Sequence, residues 1–424
     1  MNTSEIKKVI QEQEKERDTI LKSKIIERDV PNLINFLKYP NILAILGLRR
    51  CGKSVLAWLL MRNKKYGYIN FDDESLYGIS ASDLNSVLKA FYEMYGEIEY
   101  FVFDEIQNVT GWELFANRLR RTKKIIVTGS NSQLLSSELA TYLTGRHIDF
   151  KLFPFSFKEF CIYKGINLTE IKKSQFTTET SALMSKSLQE YIKLGGIPDA
   201  YKFGMPILKS IVGDIITKDI IRRYNIKNVS AVETLAKYLI SNSGNEISFN
   251  KLKNIFAIRK VQTIKNYVGF LENAYLIFVI ERFSPKLKQQ IIAPKKVYCI
   301  DTGIINAFSF SMSRNIGKIF ENIVCMQLLR TKDHNTDVYY WKNHQQNEVD
   351  FVIKAGLRVK HLIQVCYDIT DHDTKKRELI ALLKASQELK CNQLLVITED
   401  KEGEEKIKGK KIKFIPLWKW LLEG

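Results

Sequence analysis

The stretch Ile42-Leu43-Ala44-Ile45-Leu46-Gly47-Leu48-Arg49-Arg50-Cys51-Gly52-Lys53-Ser54-Val55 decides how the rest of the chain is read. The apolar run Ile42–Leu46 predicts a strand covered on both faces. Residues 47–54 then fit the pattern Gly-x-x-x-x-Gly-Lys-Ser, and Ser54–Met61 continue with helical spacing. A strand that passes through a glycine turn into a helix is the setting in which this pattern cradles phosphate. Its glycines let backbone N–H groups turn inward on phosphate oxygens, and the helix amino end adds partial positive charge. The positions expected to contact a nucleotide are Gly47, Arg49, Arg50, Cys51, Gly52, Lys53, Ser54 and Val55. Lys53 would reach the β- and γ-phosphates of ATP, and Ser54 would ligate Mg2+.

Working outward, Tyr100–Phe103 is a second apolar strand, and it ends in Asp104-Glu105. Two carboxylates at a strand end, about 50 residues after the phosphate loop, fit the metal and water chemistry of the same site. Asp104 is expected to hold Mg2+ through its water shell, and Glu105 to polarise the attacking water as general base. Strand Ile125–Thr128 ends in Gly129-Ser130-Asn131. Asn131, with Ser130 beside it, is placed toward the γ-phosphate and the attacking water; an ordinary polar turn is the competing reading. Arg49 and Arg50 could touch phosphate or a neighbouring subunit. Arg146 is the candidate charge-stabilising finger, in cis or in trans.

These strands alternate with helical stretches such as Leu84–Tyr95, which predicts right-handed crossovers and a parallel sheet over residues 29–160. Before it, residues 1–28 form a charged helical arm. Residues 161–230 are predicted to be mostly helical. Within 231–312, three helices (Val232–Ser241, Ser248–Phe256, Val261–Ala274) precede strands Tyr275–Glu281 and Lys296–Ile300, joined by a polar loop. That is the order of a winged helix, with Val261–Ala274 in the recognition position. Residues 313–424 form a third α/β block, in which the tract 401–411 reads as a charged loop.

The chain has 424 residues, enough for several domains, and 45% hydrophobic content makes global disorder untenable. No apolar run approaches the ~18–20 residues that span a bilayer, and residues 1–18 lack a secretory signal, so a cytoplasmic protein without membrane partners is expected. The six cysteines are widely spaced, as in reduced thiols and not a disulfide framework or zinc site. The net charge of +18 favours polyanion partners, nucleic acid first and DNA ahead of RNA; a lysine-rich composition is the competing explanation. A homo-oligomer is compatible with the sequence.

At this point the residues resemble a known family. The phosphate loop, Phe103-Asp104-Glu105-Ile106-Gln107, Thr128-Gly129-Ser130-Asn131, Leu143-Thr144-Gly145-Arg146, the 153–160 run, Gly195-Gly196-Ile197-Pro198, Phe320-Glu321-Asn322 and Glu348-Val349-Asp350-Phe351 look like the AAA-type ATPases that carry a C-terminal domain of unknown function 4143. The resemblance covers nearly all of residues 28–400. It implies an AAA-type parallel-sheet core, a helical segment, a winged helix and a restriction-endonuclease-like α/β domain.

In active nucleases of that last fold, a helix Glu, a strand Asp and a Glu-x-Lys on the next strand bind metal and activate water. Here Glu321, Glu348 and Asp350 are available, but the third strand reads Gln364-Val365-Cys366. An amide brings no charge, and a thiol cannot replace an ammonium, so a degenerate site is expected. Lys375 and Arg377 are candidate partners for its carboxylates. In the winged helix, Lys251, Lys253, Arg259, Lys260 and Lys265, with Lys286, Lys288, Lys295 and Lys296 in or beside the wing, could neutralise phosphates. The leading expectation is an ATP-driven switch or motor on nucleic acid. The alternatives are an ATP-gated metal-dependent nuclease and a signalling or defence switch acting on protein partners.

Overall fold

The computed structural model describes residues 2–132, 145–173, 177–309 and 316–423. Leu143 and Thr144 of the Leu-Thr-Gly-Arg motif lie outside the described residues. The chain divides into two compact units, Met1–Phe153 with Asn273–Tyr275, and Pro154–Glu272 with Leu276–Gly424.

The first unit opens with helix α1 (Thr3–Leu21), which buries Ile6, Val9, Ile10 and Gln13. The sheet holds five strands: β1 (Ile42–Gly47), β2 (Tyr66–Asn70), β3 (Tyr100–Asp104), β4 (Lys124–Gly129) and β5 (His147–Leu152). Helix α2 (Lys53–Leu60) follows β1, α3 (Leu84–Tyr95) precedes β3, and α4 (Trp112–Leu119) precedes β4. Every pairing is parallel and the order is β2-β3-β4-β1-β5. Helix α1 of the arm packs on α3 and β2. All six residues of β1 are buried, as its unbroken apolar run requires of a strand covered on both faces. Because β4 lies between β1 and β3, the carboxyl end of β4 falls between the phosphate loop and the Asp104-Glu105 pair. Open parallel sheets bind ligands at such a crevice.

The second unit contains α5 (Thr178–Leu194), α6 (Val229–Ser241), α7 (Phe249–Ile255) and α8 (Val261–Asn273), the last in all but its final residue. A three-stranded antiparallel sheet has the order β6-β8-β7, from β6 (Glu246–Ile247), β7 (Ile277–Ile280) and β8 (Lys295–Cys299). The connection expected to be a plain polar loop carries a short helix, Leu287–Ile292, whose Leu287, Ile291 and Ile292 are exposed. Helix α9 (Ile316–Thr331) leads into a six-stranded mixed sheet, ordered β13-β14-β12-β11-β10-β9. Its strands are β9 (Thr336–Lys342), β10 (Glu348–Ala355), β11 (Arg358–Val365), β12 (Leu394–Thr398), β13 (Gly403–Ile407) and β14 (Lys410–Pro416), and helix α10 (His372–Glu388) lies between β11 and β12. Trp341, Val352, Leu362, Leu382, Val396 and Phe414 meet in its core.

The tract 401–411 is therefore not a charged loop. Most of it is the hairpin of β13 and the start of β14, an edge built from lysines and glutamates. Charge on an edge strand suppresses pairing with other chains, which is why composition alone reads as loop. Gly196 is held by contact: its N–H donates to Asp301 Oδ2 at 2.5 Å, and a Cβ there would lie 2.2 Å from the Phe155 carbonyl oxygen.

Candidate functional site

The phosphate loop leaves β1 at Gly47 and enters α2 at Lys53, and its backbone is positive in φ at Arg50 (62°) and Gly52 (97°). A Cβ on Gly47 would sit 2.2 Å from the Leu152 carbonyl oxygen of β5, so only glycine fits where the loop departs. The Arg28 guanidinium braces the loop from behind, donating to the carbonyls of Cys51 (3.0 Å) and Phe153 (2.7 Å). Cys51 is buried, and burial pushes its thiol upward. No side chain caps the amino end of α2.

Lys53 is 4% exposed; its Nζ lies 3.1 Å from Glu105 Oε1 and donates to the Leu48 carbonyl at 3.2 Å. Glu105 has positive φ (48°), a costly conformation for a non-glycine residue, found where structure holds a functional group in place. Its Oε2 accepts from the Ser130 N–H at 3.2 Å and from the Gln107 amide. Burial would raise this carboxyl, but Lys53 and Arg49 override it and hold Glu105 down at about 2. Asp104 is pushed the other way, by burial and then by the charge of Glu105. It accepts from Tyr68 Oη at 2.9 Å and from Thr128 Oγ1, and the neighbouring Ser54 hydroxyl works against that rise. Thr128 in turn accepts the Glu105 N–H at 3.0 Å. Ser130 and Asn131 are fully buried at the end of β4.

Lys53, Ser54, Asp104, Glu105, Ser130 and Asn131 thus come to one edge of the sheet, from three strands that are remote in sequence. Arg49 joins them, with Nη1 2.7 Å from Asp72 Oδ2 just past β2. Arg50 is exposed. Arg146 is elsewhere: it precedes β5, its carbonyl accepts the Ile42 N–H at the start of β1, and its guanidinium donates to Asn117. In a parallel sheet that is the amino edge, roughly 20 Å of strand away from the loop. Arg146 cannot reach its own chain's phosphate site. Tyr68 and Asp72 escaped sequence reasoning, and Thr128 and Gln107 stood in the quoted motifs without a role of their own. Thr128 carried a signal, as the lone polar residue in an otherwise apolar strand interior.

The second candidate site lies within the second unit. Glu321 on α9 and Glu348 and Asp350 on β10 do converge, but on Lys296 of β8. The Lys296 Nζ lies 2.6 Å from Glu321, 2.6 Å from Glu348 and 3.1 Å from Asp350, and the residue is 1% exposed. Lys318 adds 2.7 Å to Glu321, Lys342 adds 3.1 Å to Glu348, and Tyr298 Oη donates to Glu321 at 2.6 Å. Three carboxylates therefore face three ammonium groups. Burial and Glu321 push Asp350 up to about 7; Glu348, despite its burial, is held at about 2 by Lys296 and Lys342. Among the described residues, no three His, Cys, Asp or Glu side chains are arranged to hold a metal ion.

Several expectations are corrected here. Lys296 is not a phosphate-facing lysine of the wing, because it is buried among carboxylates; Lys295 pairs with Glu281. Lys375 pairs with Glu405 and Arg377 with Glu378, not with the carboxylate cluster. Gln364 accepts from the Asp350 N–H at 3.4 Å and donates to Glu378, so it ties β10 to α10. Burial pushes Cys366 up to about 12, and its sulfur donates to the Asp368 carbonyl. Lys251, Arg259, Lys260 and Lys265 are exposed on or between α7 and α8.

Comparison with known proteins agrees with this layout. Residues 39–161 match the family described as AAA domain; 185–314 and 316–420 match two domains of unknown function, DUF8612 and DUF4143. An uncharacterized protein of Methanocaldococcus jannaschii, MJ1544, is 37% identical across 95% of this chain and 92% of its own length. An uncharacterized protein of Haemophilus influenzae is 30% identical across 82% of this chain and 88% of its own. Among solved structures, the Walker-type ATPase PABY2304 of Pyrococcus abyssi shares 15% identity over 65% of this chain and 93% of that one, with a TM-score of 0.43. No helix among the described residues is long and apolar enough to cross a membrane. By its sequence relatives and its matched domains, the chain belongs to the family of AAA-type ATPases that carry the DUF4143 domain at their C-terminal end.

Proposed function

We propose that the chain is an ATP-hydrolysing switch that acts on nucleic acid, with a nuclease-like C-terminal domain that has lost its chemistry. The observation that carries the hydrolytic reading is the meeting of Lys53, Ser54, Asp104 and Glu105 at one sheet edge. The residues suit Mg2+: Asp104 is a buried carboxylate under electrostatic pressure beside the Ser54 hydroxyl, an all-oxygen set that a hard cation prefers. Bound there, Mg2+ would neutralise charge between the β- and γ-phosphates. Lys53 binds the same phosphates and, in doing so, releases Glu105. Glu105, freed of its ammonium partner, becomes basic enough to take a proton from water. Ser130 fixes Glu105 through its N–H, and Asn131 orients the water.

The nucleic-acid reading rests on the charge of +18 and on exposed Lys251, Arg259, Lys260 and Lys265 in a winged-helix arrangement of α6, α7, α8 and the three-stranded sheet. Loss of nuclease chemistry rests on Lys296, which fills the centre that a metal would need. A protein partner is the second reading, favoured by the exposed apolar side chains of helix Leu287–Ile292. The test is ATP turnover measured with and without single- and double-stranded DNA. Lys53→Ala should abolish nucleotide binding; Glu105→Gln should keep binding and slow hydrolysis at least a hundredfold, within the range for loss of a general base. Wild-type turnover in Glu105→Gln would refute the base assignment. Turnover indifferent to DNA would favour the protein partner.

A further inference from the structure

Glu105 is bracketed by two cations, and the proposed mechanism gives work to only one. Lys53 contacts it directly, and Arg49 acts on it through space. Arg49 is a residue of the phosphate loop itself, with a side chain only 14% exposed, whose guanidinium is turned to Asp72 at 2.7 Å. Asp72 is held in its own right. Its N–H donates to Asn70 Oδ1 at 2.9 Å, and its carboxylate also accepts from Asn108. The segment is anchored from α1 by the buried Gln13. Its amide donates to the Asn70 carbonyl (3.0 Å) and to Asp73 Oδ2 (2.9 Å), and accepts the Asn70 N–H (2.8 Å).

We propose that Arg49 is the charge-stabilising arginine of this ATPase in cis, held in reserve by Asp72 and drawn to the γ-phosphate as charge develops in the transition state. This rests on the ATPase reading above and deepens it. The sequence candidate, Arg146, lies at the wrong edge of the sheet for its own chain, whereas Arg49 starts from the loop that wraps the phosphates. A partly exposed ion pair such as Arg49–Asp72 is worth only about 0–1 kcal/mol, so a transferring phosphoryl group outcompetes it. A guanidinium suits the geometry because its planar fork can span two equatorial oxygens at once. Asp72 is then a positioning residue, and Gln13 connects its loop to α1.

The test compares binding of Mg2+·ADP with that of Mg2+·ADP plus aluminium fluoride, a mimic of the transferring phosphoryl group, by titration calorimetry on the full chain. Wild-type protein is expected to bind the mimic more tightly than ADP. Arg49→Ala should cut that preference at least tenfold while changing ADP affinity less than threefold, and Arg49→Lys should restore only part of it. Asp72→Asn should raise the preference several-fold, and the gain should vanish when combined with Arg49→Ala. An unchanged preference in Arg49→Ala, or equal weakening of both ligands, overturns the proposal. So does an Asp72→Asn effect that persists without Arg49. Should Arg49→Ala not fold, Arg49→Lys and Asp72→Asn still decide it. Failure of the wild-type protein, like Lys53→Ala, to bind either ligand would instead sink the ATPase reading.

Discussion

Replacing Lys296 by Met tests a buried ammonium that three carboxylates share in the second unit. The substitution keeps the length and apolar volume of the stem and removes the ammonium shared by Glu321, Glu348 and Asp350. The three losses are unequal. Glu321 keeps Lys318 and the Tyr298 hydroxyl, and Glu348 keeps Lys342. The Asp350 carboxylate keeps the Val365 N–H at 3.0 Å and the more distant charge of Lys318. Breaking a buried pair costs about 3–5 kcal/mol, and that is the destabilisation expected at pH 8. Asp350 can then relieve the strain by taking a proton. Its carboxyl is already raised, to about 7, so in the wild type the penalty for ionising it grows as pH climbs from the ordinary carboxylate range through 7. Without Lys296 its pKa rises further, and the variant holds that proton throughout pH 6–8. The unfolded chain is ionised over the same range. The variant's excess of bound protons over the wild type then averages half a proton across those two pH units, so the gap between them should be about 1.4 kcal/mol smaller at pH 6 than at pH 8. Urea unfolding of both proteins at the two pH values measures this. A loss under about 1 kcal/mol at pH 8, or a gap that does not narrow on acidification, would refute the view of Lys296 as the cation of a closed cluster.

Gly47→Ala should weaken nucleotide binding and cost about 1–3 kcal/mol, because the new methyl meets the Leu152 carbonyl at 2.2 Å; an unchanged melting temperature and ADP affinity would contradict this. Charge reversal of Lys260 and Lys265 together should weaken duplex DNA binding and lower the slope of log affinity on log salt by about 2, one unit for each lost phosphate contact. Binding that is unmoved places the contact elsewhere. With Mg2+ or Mn2+, with or without ATP, the protein should not nick DNA; robust cleavage that disappears in Asp350→Ala would restore the nuclease reading.

What could be read in the sequence was what local chemistry requires. Gly47, Gly52, Lys53 and Ser54 sit at fixed spacing because one turn must wrap a phosphate, and Asp104-Glu105 end an apolar strand because a buried strand exposes chemistry only at its end. The sheet followed from the alternation of such strands with helices. Other features depended on distance through space. Nothing in the order of residues says that β4 inserts between β1 and β3, which brings Ser130 against Glu105, or that β5 runs parallel beside β1, which leaves Arg146 at the far edge. The hairpin of β13 and β14 was hidden because its charges answer to an exposed sheet edge and not to a core. Lys296 was misplaced for a related reason. A lysine in a strand reads as a solvent-facing charge, since burying an ammonium is prohibitive unless carboxylates surround it. Here they come from α9 and β10, 25 to 54 residues further along the chain, and only the tertiary structure could bring them together.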